Sequence, residues 1–551
     1  MTDAALHHDL ISVLKACHAK PVITVLGRGG LSTTLTGADL MTRARAMQDV
    51  WDQHLGAGPQ VIMAALPAGE HFLVALIAAL LGGGTMVPVA PPRTGDVPER
   101  LARMARNCGV SLVLCTTRNR AAVLQQLTDA NGMLPCSVLT VDAPESALRV
   151  ESDLPRADPV FPIIQHTSGS TRFPKTVPVS AAQIRANCHL IQSLWGMNSD
   201  TVMVNWLPHY HDMGLMGCIL YPLLSGAHSV QMSPFDMIRR PLSWLEAVSE
   251  WRGTISGGPT FAFMECLNRI KPEDCIGLDL RSWQRAFCGA EPIPAGLLQR
   301  FSECFAPHGL SSDAVFACYG MAECTLFAAG EPDDGDIPSV APAGMPVEGC
   351  RLSARTQEGL RISNLTDGAS QVDGSPGEVW LSGPSVCQRY LGDAEAEDET
   401  FQIDPDGRRW MRTGDIGVIC DGHLFITGRL KDIVIVNGRN IAAAEIEWIA
   451  AQEHPDLNPS AAAAFAGGAT SSARAHLFIE MRSRAPAPKD PIALAARIRA
   501  SVIGRCGVAL DEIRILPRGS LPRTSSGKIR RQVVAQTFLD GLTPVEGKMN
   551  A

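Results

Sequence analysis

Val61-Ile62-Met63-Ala64-Ala65-Leu66 is an unbroken apolar run, short for a helix and without the alternation of a half-exposed strand. Such a run fits a strand covered on both faces. Two more follow, Ser111-Leu112-Val113-Leu114-Cys115 and Val138-Leu139-Thr140-Val141, with helix-like segments between them. This alternation predicts βαβ units around a mostly parallel sheet, an α/β texture that continues through the first 330 residues. The most apolar early stretch, Phe72 to Val89, is interrupted by Gly82-Gly83-Gly84 and closed by Pro88. A membrane span needs about 20 continuous apolar residues, so this stretch reads as a buried helix leading into a strand.

Beyond it the texture changes. From Gly344 to Gly428 the strand candidates are shorter, such as Gly377-Glu378-Val379-Trp380-Leu381 and His423-Leu424-Phe425-Ile426, and Gly and Asp turns separate them. A small β-rich subdomain is expected there. After Gly428-Arg429 come a strand (Ile433 to Val436), an amphipathic helix (Ala443 to Ala451) and an Ala/Gly/Ser-rich turn (Gly467 to Ser472). A second strand (Leu477 to Met481), a helix (Pro491 to Gly504) and a basic tail follow, and Ser460 to Ala475 reads as an alanine-biased segment. The expected organisation is a large N-terminal α/β domain of stacked, mostly parallel sheets over 1–428, including the β-rich subdomain, and a small α+β domain over 429–551.

A chain of 551 residues exceeds one ordinary core, which also favours two or more domains. Its formal charge of −8 argues against a nucleic-acid binder held by phosphate neutralisation. The sixteen cysteines form no C-x-x-C pair, and Met1-Thr2-Asp3-Ala4-Ala5 is not a basic region followed by an apolar one. Reduced thiols and a cytoplasmic location are the expectation.

Chemistry-bearing motifs punctuate this framework. Ile163-Ile164-Gln165-His166 runs into Thr167-Ser168-Gly169-Ser170-Thr171-Arg172-Phe173-Pro174-Lys175, a hydroxyl-rich loop after an apolar strand. It can offer backbone N–H groups, hydroxyls and an ammonium to a polyphosphate, although no Gly-Lys-Ser/Thr of a Walker loop is present. Next comes Trp206-Leu207-Pro208-His209-Tyr210-His211-Asp212-Met213-Gly214-Leu215. His209, His211 and Asp212 are types that bind zinc, but their spacing differs from the His-x-His-x-Asp-His pattern of metallo-hydrolases, and a turn with two surface histidines is the plain alternative. Gly257-Gly258-Pro259, Gly289-Ala290-Glu291, Tyr319-Gly320-Met321-Ala322-Glu323, Arg412-Thr413-Gly414-Asp415 and Gly428-Arg429-Leu430-Lys431-Asp432 follow in order. The last motif is Leu521-Pro522-Arg523-Thr524-Ser525-Ser526-Gly527-Lys528-Ile529-Arg530-Arg531.

In this order the motifs resemble those of the acyl-adenylate-forming superfamily, over roughly residues 25 to 535. Tyr210-His211-Asp212-Met213-Gly214 and Gly257-Gly258-Pro259 are most similar to its fatty acyl-AMP ligases. The resemblance implies that Thr167, Ser168, Gly169, Ser170, Thr171 and Lys175 grip ATP phosphates, and that Gly289, Ala290 and Glu291 line the adenine pocket. It implies further that Tyr319, with Gly320 and Met321 beside it, stacks on adenine, that Glu323 coordinates Mg²⁺, and that Asp415 binds the ribose hydroxyls. Arg429 would meet ribose or phosphate, Lys431 would be a hinge, and His211 would stand near the substrate carboxylate and gate access to it. Met213, Gly214, Gly257, Gly258 and Pro259 would line the acyl pocket, the small residues leaving room for an apolar chain. Lys528 would reach the carboxylate and α-phosphate on a mobile C-terminal domain.

Two departures stand in the phosphate loop, where Arg172 and Thr176 replace glycines of the family pattern. They either stiffen or reshape the loop, or Arg172 adds a phosphate contact. The resemblance implies ATP-dependent activation of a carboxylic acid, fatty or otherwise apolar, to acyl-AMP, then transfer to a thiol. The phosphopantetheine arm of an acyl carrier protein is the expected acceptor, favoured also by Gly438-Arg439-Asn440. CoA is the alternative, because the stretch between Glu323 and Gly344 lacks the insertion usual in acyl-AMP ligases, and Ile441-Ala442-Ala443 replaces the usual H-Y-P. A catalytically silent adenylate-binding protein is a reading from another class.

Overall fold

The computed structural model describes residues 6–27, 31–56, 60–92, 99–129, 131–143, 161–167, 174–332, 347–436, 439–467, 474–482, 488–523 and 528–539. The opening apolar run forms the strand Val61–Ala64 in a six-stranded sheet. Its neighbours are Leu112–Cys115 on one side and Thr85–Pro88 on the other, both parallel to it. Ile62 and Ala64 pack into the main core while Val61, Met63 and Ala65 pack into a second core on the opposite face. Both faces are therefore covered, which explains the unbroken apolar pattern. The stretch Phe72 to Val89 is the buried helix leading into a strand that its sequence predicts, the helix Glu70–Leu81 followed by the strand Thr85–Pro88, and no helix among the described residues is long and apolar enough to cross a membrane.

A second, seven-stranded sheet runs Val315–Ala317, Arg285–Gly289, Ile255–Pro259, Val202–Asn205, His228–Gln231, Pro21–Leu26 and Ser32–Thr36. All its pairings are parallel except the last. The β-rich region is an antiparallel sheet built on the twelve-residue strand Arg409–Cys420, flanked by Gly377–Leu381 and His423–Arg429. The architecture is thus α/β with stacked, mostly parallel sheets, as the apolar runs predict.

Residues 433–539 carry cores of their own. Helices Ala443–Ala451 and Pro491–Cys506 cover a sheet of Leu457–Gly467, Arg474–Met481 and Leu510–Leu516. The first half of the alanine-biased segment, residues 460–467, lies in the strand Leu457–Gly467, with Ala462 and Ala464 facing one core and Ala463 and Phe465 the other, while residues 468–473, which hold most of the expected Ala/Gly/Ser-rich turn, lie outside the described residues. One expectation needs correction here. The chain after Gly504 is not only a basic tail but adds the strand Leu510–Leu516 and the helix Arg531–Leu539. All sixteen cysteines are free thiols.

Candidate active site

Strands Val202–Asn205, Ile255–Pro259 and Arg285–Gly289 run in one direction, so their C-terminal ends share an edge, the usual ligand side of an open α/β sheet. The segments leaving those ends border a cavity of about 740 Å³. At its polar end Tyr319 donates its hydroxyl to Asp415 Oδ2 at 2.7 Å, and Arg429 Nε donates to Asp415 Oδ1 at 2.7 Å. Asp415 is buried, whereas half of the Arg429 side chain is exposed toward the cavity mouth. Gly320, Met321, Ala290 and Glu291 lie on the same walls.

Thr167 and Lys175 close the two ends of the phosphate-loop segment on each other: Thr167 N–H donates to Lys175 O at 3.0 Å and Lys175 N–H to Thr167 Oγ1 at 3.2 Å. Ser168, Gly169, Ser170, Thr171 and Arg172 lie outside the described residues, as do Gly344, Gly438 and Thr524 to Gly527. Thr176 begins the strand Thr176–Val179, paired with His166. Its extended backbone needs no positive φ, so the threonine imposes none of the strain expected for a lost glycine.

Lys175 Nζ stands 4.4 Å from the centre of the Tyr390 ring and 3.4 Å from Thr400 Oγ1. The same tyrosine donates its hydroxyl to Glu323 Oε1 at 3.1 Å. Burial raises the Glu323 pKa, opposed by the Tyr390 bond and by the charges of Arg429 and Lys175. A single carboxylate on the cavity wall fits a hard cation that arrives with nucleotide, since Mg²⁺ takes one or two carboxylates plus phosphate oxygens and waters. Tyr390 and Thr400, far along the chain from either partner, carry no motif that sequence reading could use.

His209 and His211 separate sharply. His209 is buried, packs against Phe72 with ring centres 4.1 Å apart and the planes tilted by 50°, and bonds Leu66 O through Nε2 at 2.9 Å. Burial pushes its pKa down to about 4, so it is a neutral structural group. His211 instead faces the cavity with Nδ1 2.5 Å from Asp212 Oδ1. Asp212 also accepts the Met213 N–H at 2.7 Å, capping the π-helical segment Met213–Leu220. Burial would raise the Asp212 pKa, but His211, these bonds and Lys528 hold it below the usual carboxylate value. With His209 turned to Leu66 no zinc triad forms, and among the described residues no group of three His, Cys, Asp or Glu could hold a metal.

Lys528 comes from the C-terminal region and donates to Ala290 O at 2.8 Å. Burial lowers its pKa, and Glu291 opposes that shift. Ala290 holds φ at 65°, a left-handed value unusual for a residue with a Cβ, which turns its carbonyl to this contact. Lys431 borders the cavity from the short turn Leu430–Asp432.

Of the five residues expected in the acyl pocket, one borders the cavity. Met213 lines the cavity, but Gly214, Gly257, Gly258 and Pro259 do not. A Cβ on Gly214 would stand 2.3 Å from Pro208 O, one on Gly257 2.1 Å from Phe287 O, and one on Gly258 2.5 Å from the Trp206 ring. These glycines admit neighbouring backbone and indole rather than a substrate. Gly289 is likewise packed under Cys318 rather than open to the cavity. The apolar walls come from Gly217, Met264, Phe287, Leu326, Phe327 and Trp195. Glu348, whose carboxyl accepts the Gly296 N–H at 2.5 Å and is pushed up to about 7 by burial, adds an unforeseen polar group.

The chain matches the AMP-binding enzyme family over residues 14–391. It is 30% identical over 544 residues to the medium-chain-fatty-acid–[acyl-carrier-protein] ligase JamA of Moorena producens, covering 92% of this chain and 90% of that protein. It is 31% identical over 556 residues to the long-chain-fatty-acid–AMP ligase FadD26 of Mycobacterium marinum, covering 93% of each. Among solved structures, the fatty acyl-adenylate ligases from E. coli and L. pneumophila superpose with a TM-score of 0.82 at 28% identity, over 97% of this chain and 98% of that one. A cavity lined by Lys175, by Asp415 with its tyrosine partner and by Lys528, on this fold and with these relatives, places the chain in the AMP-binding enzyme family of acyl-adenylate-forming enzymes.

Proposed function

We propose that this chain uses ATP to convert an apolar carboxylic acid to acyl-AMP and then transfers the acyl group to the phosphopantetheine thiol of an acyl carrier protein. The observation that carries the reading is Lys528, which comes from the C-terminal region, lines the same cavity as His211 and Asp415, and donates its ammonium to Ala290 O. In the first step a carboxylate oxygen bonds to the α-phosphorus, the bond to the β-phosphate bridge breaks, and pyrophosphate leaves. Two anions must approach, and a positioned ammonium offsets their repulsion. Lys175 and the loop from Thr167 hold the phosphates, Tyr319 faces adenine, Asp415 takes the ribose hydroxyls, Arg429 meets ribose or phosphate, and His211 stands at the carboxylate. Mg²⁺ on Glu323 would supply charge neutralisation at the phosphates. In the second step the thiolate attacks the acyl carbonyl and AMP leaves, after residues 429–551 turn about Lys431.

The carrier-protein acceptor is supported by likeness to JamA along nearly the full length of both chains. Pyrophosphate exchange with a panel of carboxylic acids tests activation, and exchange with at least one apolar acid is expected. Incubation with holo carrier protein or CoA then tests the acceptor. Acyl thioester is expected on the carrier, and product with CoA alone would make the chain an acyl-CoA synthetase.

A further inference from the structure

Trp195 lines the cavity beside Phe287, Phe327, Leu326 and Met264. Trp195 is the last residue of the helix Ala181–Trp195, whose start is fixed by a Ser180–Gln183 capping box and whose end is the left-handed Gly196. Its indole stacks on Phe287 with centres 5.3 Å apart, and meets Phe316 and Phe327 edge-on at 5.2 and 5.3 Å. Its N–H donates to Gly330 O at 3.0 Å. The same helix grips the strand Phe327–Ala329 through Asn187, which donates to Phe327 O at 2.8 Å and accepts the Phe327 N–H at 3.1 Å. With its N–H tied and rings on three sides, the indole cannot swing aside.

Its depth follows from the strand. Phe287 lies two residues before Gly289, where Arg285–Gly289 ends and the nucleotide walls begin. At about 3.3 Å per residue Phe287 is roughly 6 to 7 Å inward of that edge. Phe287 and Phe316 are partners across adjacent strands, and Trp195 touches both, so it spans the interval between them. Gly217 and Leu326 also line the cavity, and a Cβ on Gly217 would approach the Leu326 methyl to 2.9 Å, so this part of the wall is closely packed.

We propose that Trp195 is the floor of the acyl pocket and restricts the substrate to acids with a compact tail, short- to medium-chain rather than long-chain. This rests on the acid-activation reading above. The indole face offers a flat apolar surface on which a terminal methyl or a phenyl ring can end, whereas a longer chain has no path past it without breaking the Gly330 bond.

The test is the specificity constant for pyrophosphate exchange with hexanoate, octanoate, phenylpropanoate, dodecanoate and hexadecanoate, in the wild-type chain and in Trp195→Ala and Trp195→Leu. Octanoate or a shorter or phenyl-ended acid is expected to exceed hexadecanoate at least tenfold in the wild type. The variants are expected to raise the ratio of hexadecanoate to octanoate at least tenfold. Trp195→Leu keeps apolar volume should the alanine variant fold poorly. Hexadecanoate used as well as octanoate by the wild type overturns the floor whatever the variants do, and so does an unchanged ratio in a folded variant. No exchange with any acid would instead sink the activation reading and the floor with it. Exchange without chain-length discrimination sinks the floor alone.

Discussion

His209 and His211 are two positions apart in the chain, yet one is a structural neutral ring and the other faces the cavity. Nothing in the residue types distinguishes them; the difference is made by Phe72 and Leu66, which a distant helix and loop bring to His209 alone. The consequence is measurable. An unfolded histidine titrates near 6.5, whereas folded His209 does so near 4. Between those values the unfolded chain binds more protons, so stability falls as pH drops through that window. His166, held near 3 by burial and Arg100, acts in the same sense, so a comparison of variants is needed to isolate His209. His209→Gln keeps a donor for Leu66 O and does not titrate. Urea unfolding at pH 7.5 and pH 5 is expected to show the variant losing about 2 kcal/mol less than wild type over that interval. Equal losses would mean His209 is not kept neutral in the folded chain.

At the scale of elements, regular apolar runs were legible and uniform ones were not. Val61–Ala64 announces itself through consecutive branched and large side chains, but an alanine run has no contrast by which to tell one face from another. Ala462 and Ala464 nevertheless lie under the helix Ala443–Ala451, and small side chains are what allow that approach. Glu447 on this helix accepts the Ala464 N–H at 2.9 Å and takes a two-pronged bond from Arg531 at 2.6 and 2.7 Å. Arg531 also donates to Asp432 Oδ2 at 3.1 Å, in the turn that holds the proposed hinge Lys431. One guanidinium thus links the hinge turn, a helix and the start of the helix just after Lys528. Arg531→Ala would leave buried Glu447 without its cation, a loss of roughly 3 kcal/mol. Adding Glu447→Gln should restore more than 1 kcal/mol of this, as coupled neighbours do. Amide hydrogen exchange in Arg474–Met481 would report both, and strictly additive losses would show that the pair is not coupled.

For the whole molecule, the motifs disclosed which segments matter but not how they meet. Tyr390 joins Lys175 to Glu323, and Trp195 reaches the cavity wall beside Phe287 and Phe327, only because separate stretches of chain converge there. The texture of the sequence changes near 428, and residues 433–539 pack into cores built from that region's own residues. Polar contacts between this region and the rest include Lys528 to Ala290 and a 3.8 Å pair of Arg482 with Glu265, which is partly exposed and therefore weak. Separate cores with modest contacts should unfold in more than one calorimetric transition. A non-hydrolysable acyl-adenylate mimic, on the proposed reading, touches Asp415 and Tyr319 on one side and Lys528 on the other. At a hundredfold its Kd such a ligand stabilises what it binds by about 2.7 kcal/mol. In the wild type both transitions should rise on adding the mimic, because Lys528 ties the C-terminal core to the ligand. In Lys528→Ala the main transition should still rise while that of residues 433–539 stays where it was. The same variant should lose pyrophosphate exchange yet still transfer the acyl group from supplied acyl-AMP, since only the first step needs the ammonium. An unchanged C-terminal transition in the wild type, or full exchange in the variant, would place Lys528 outside the adenylating site.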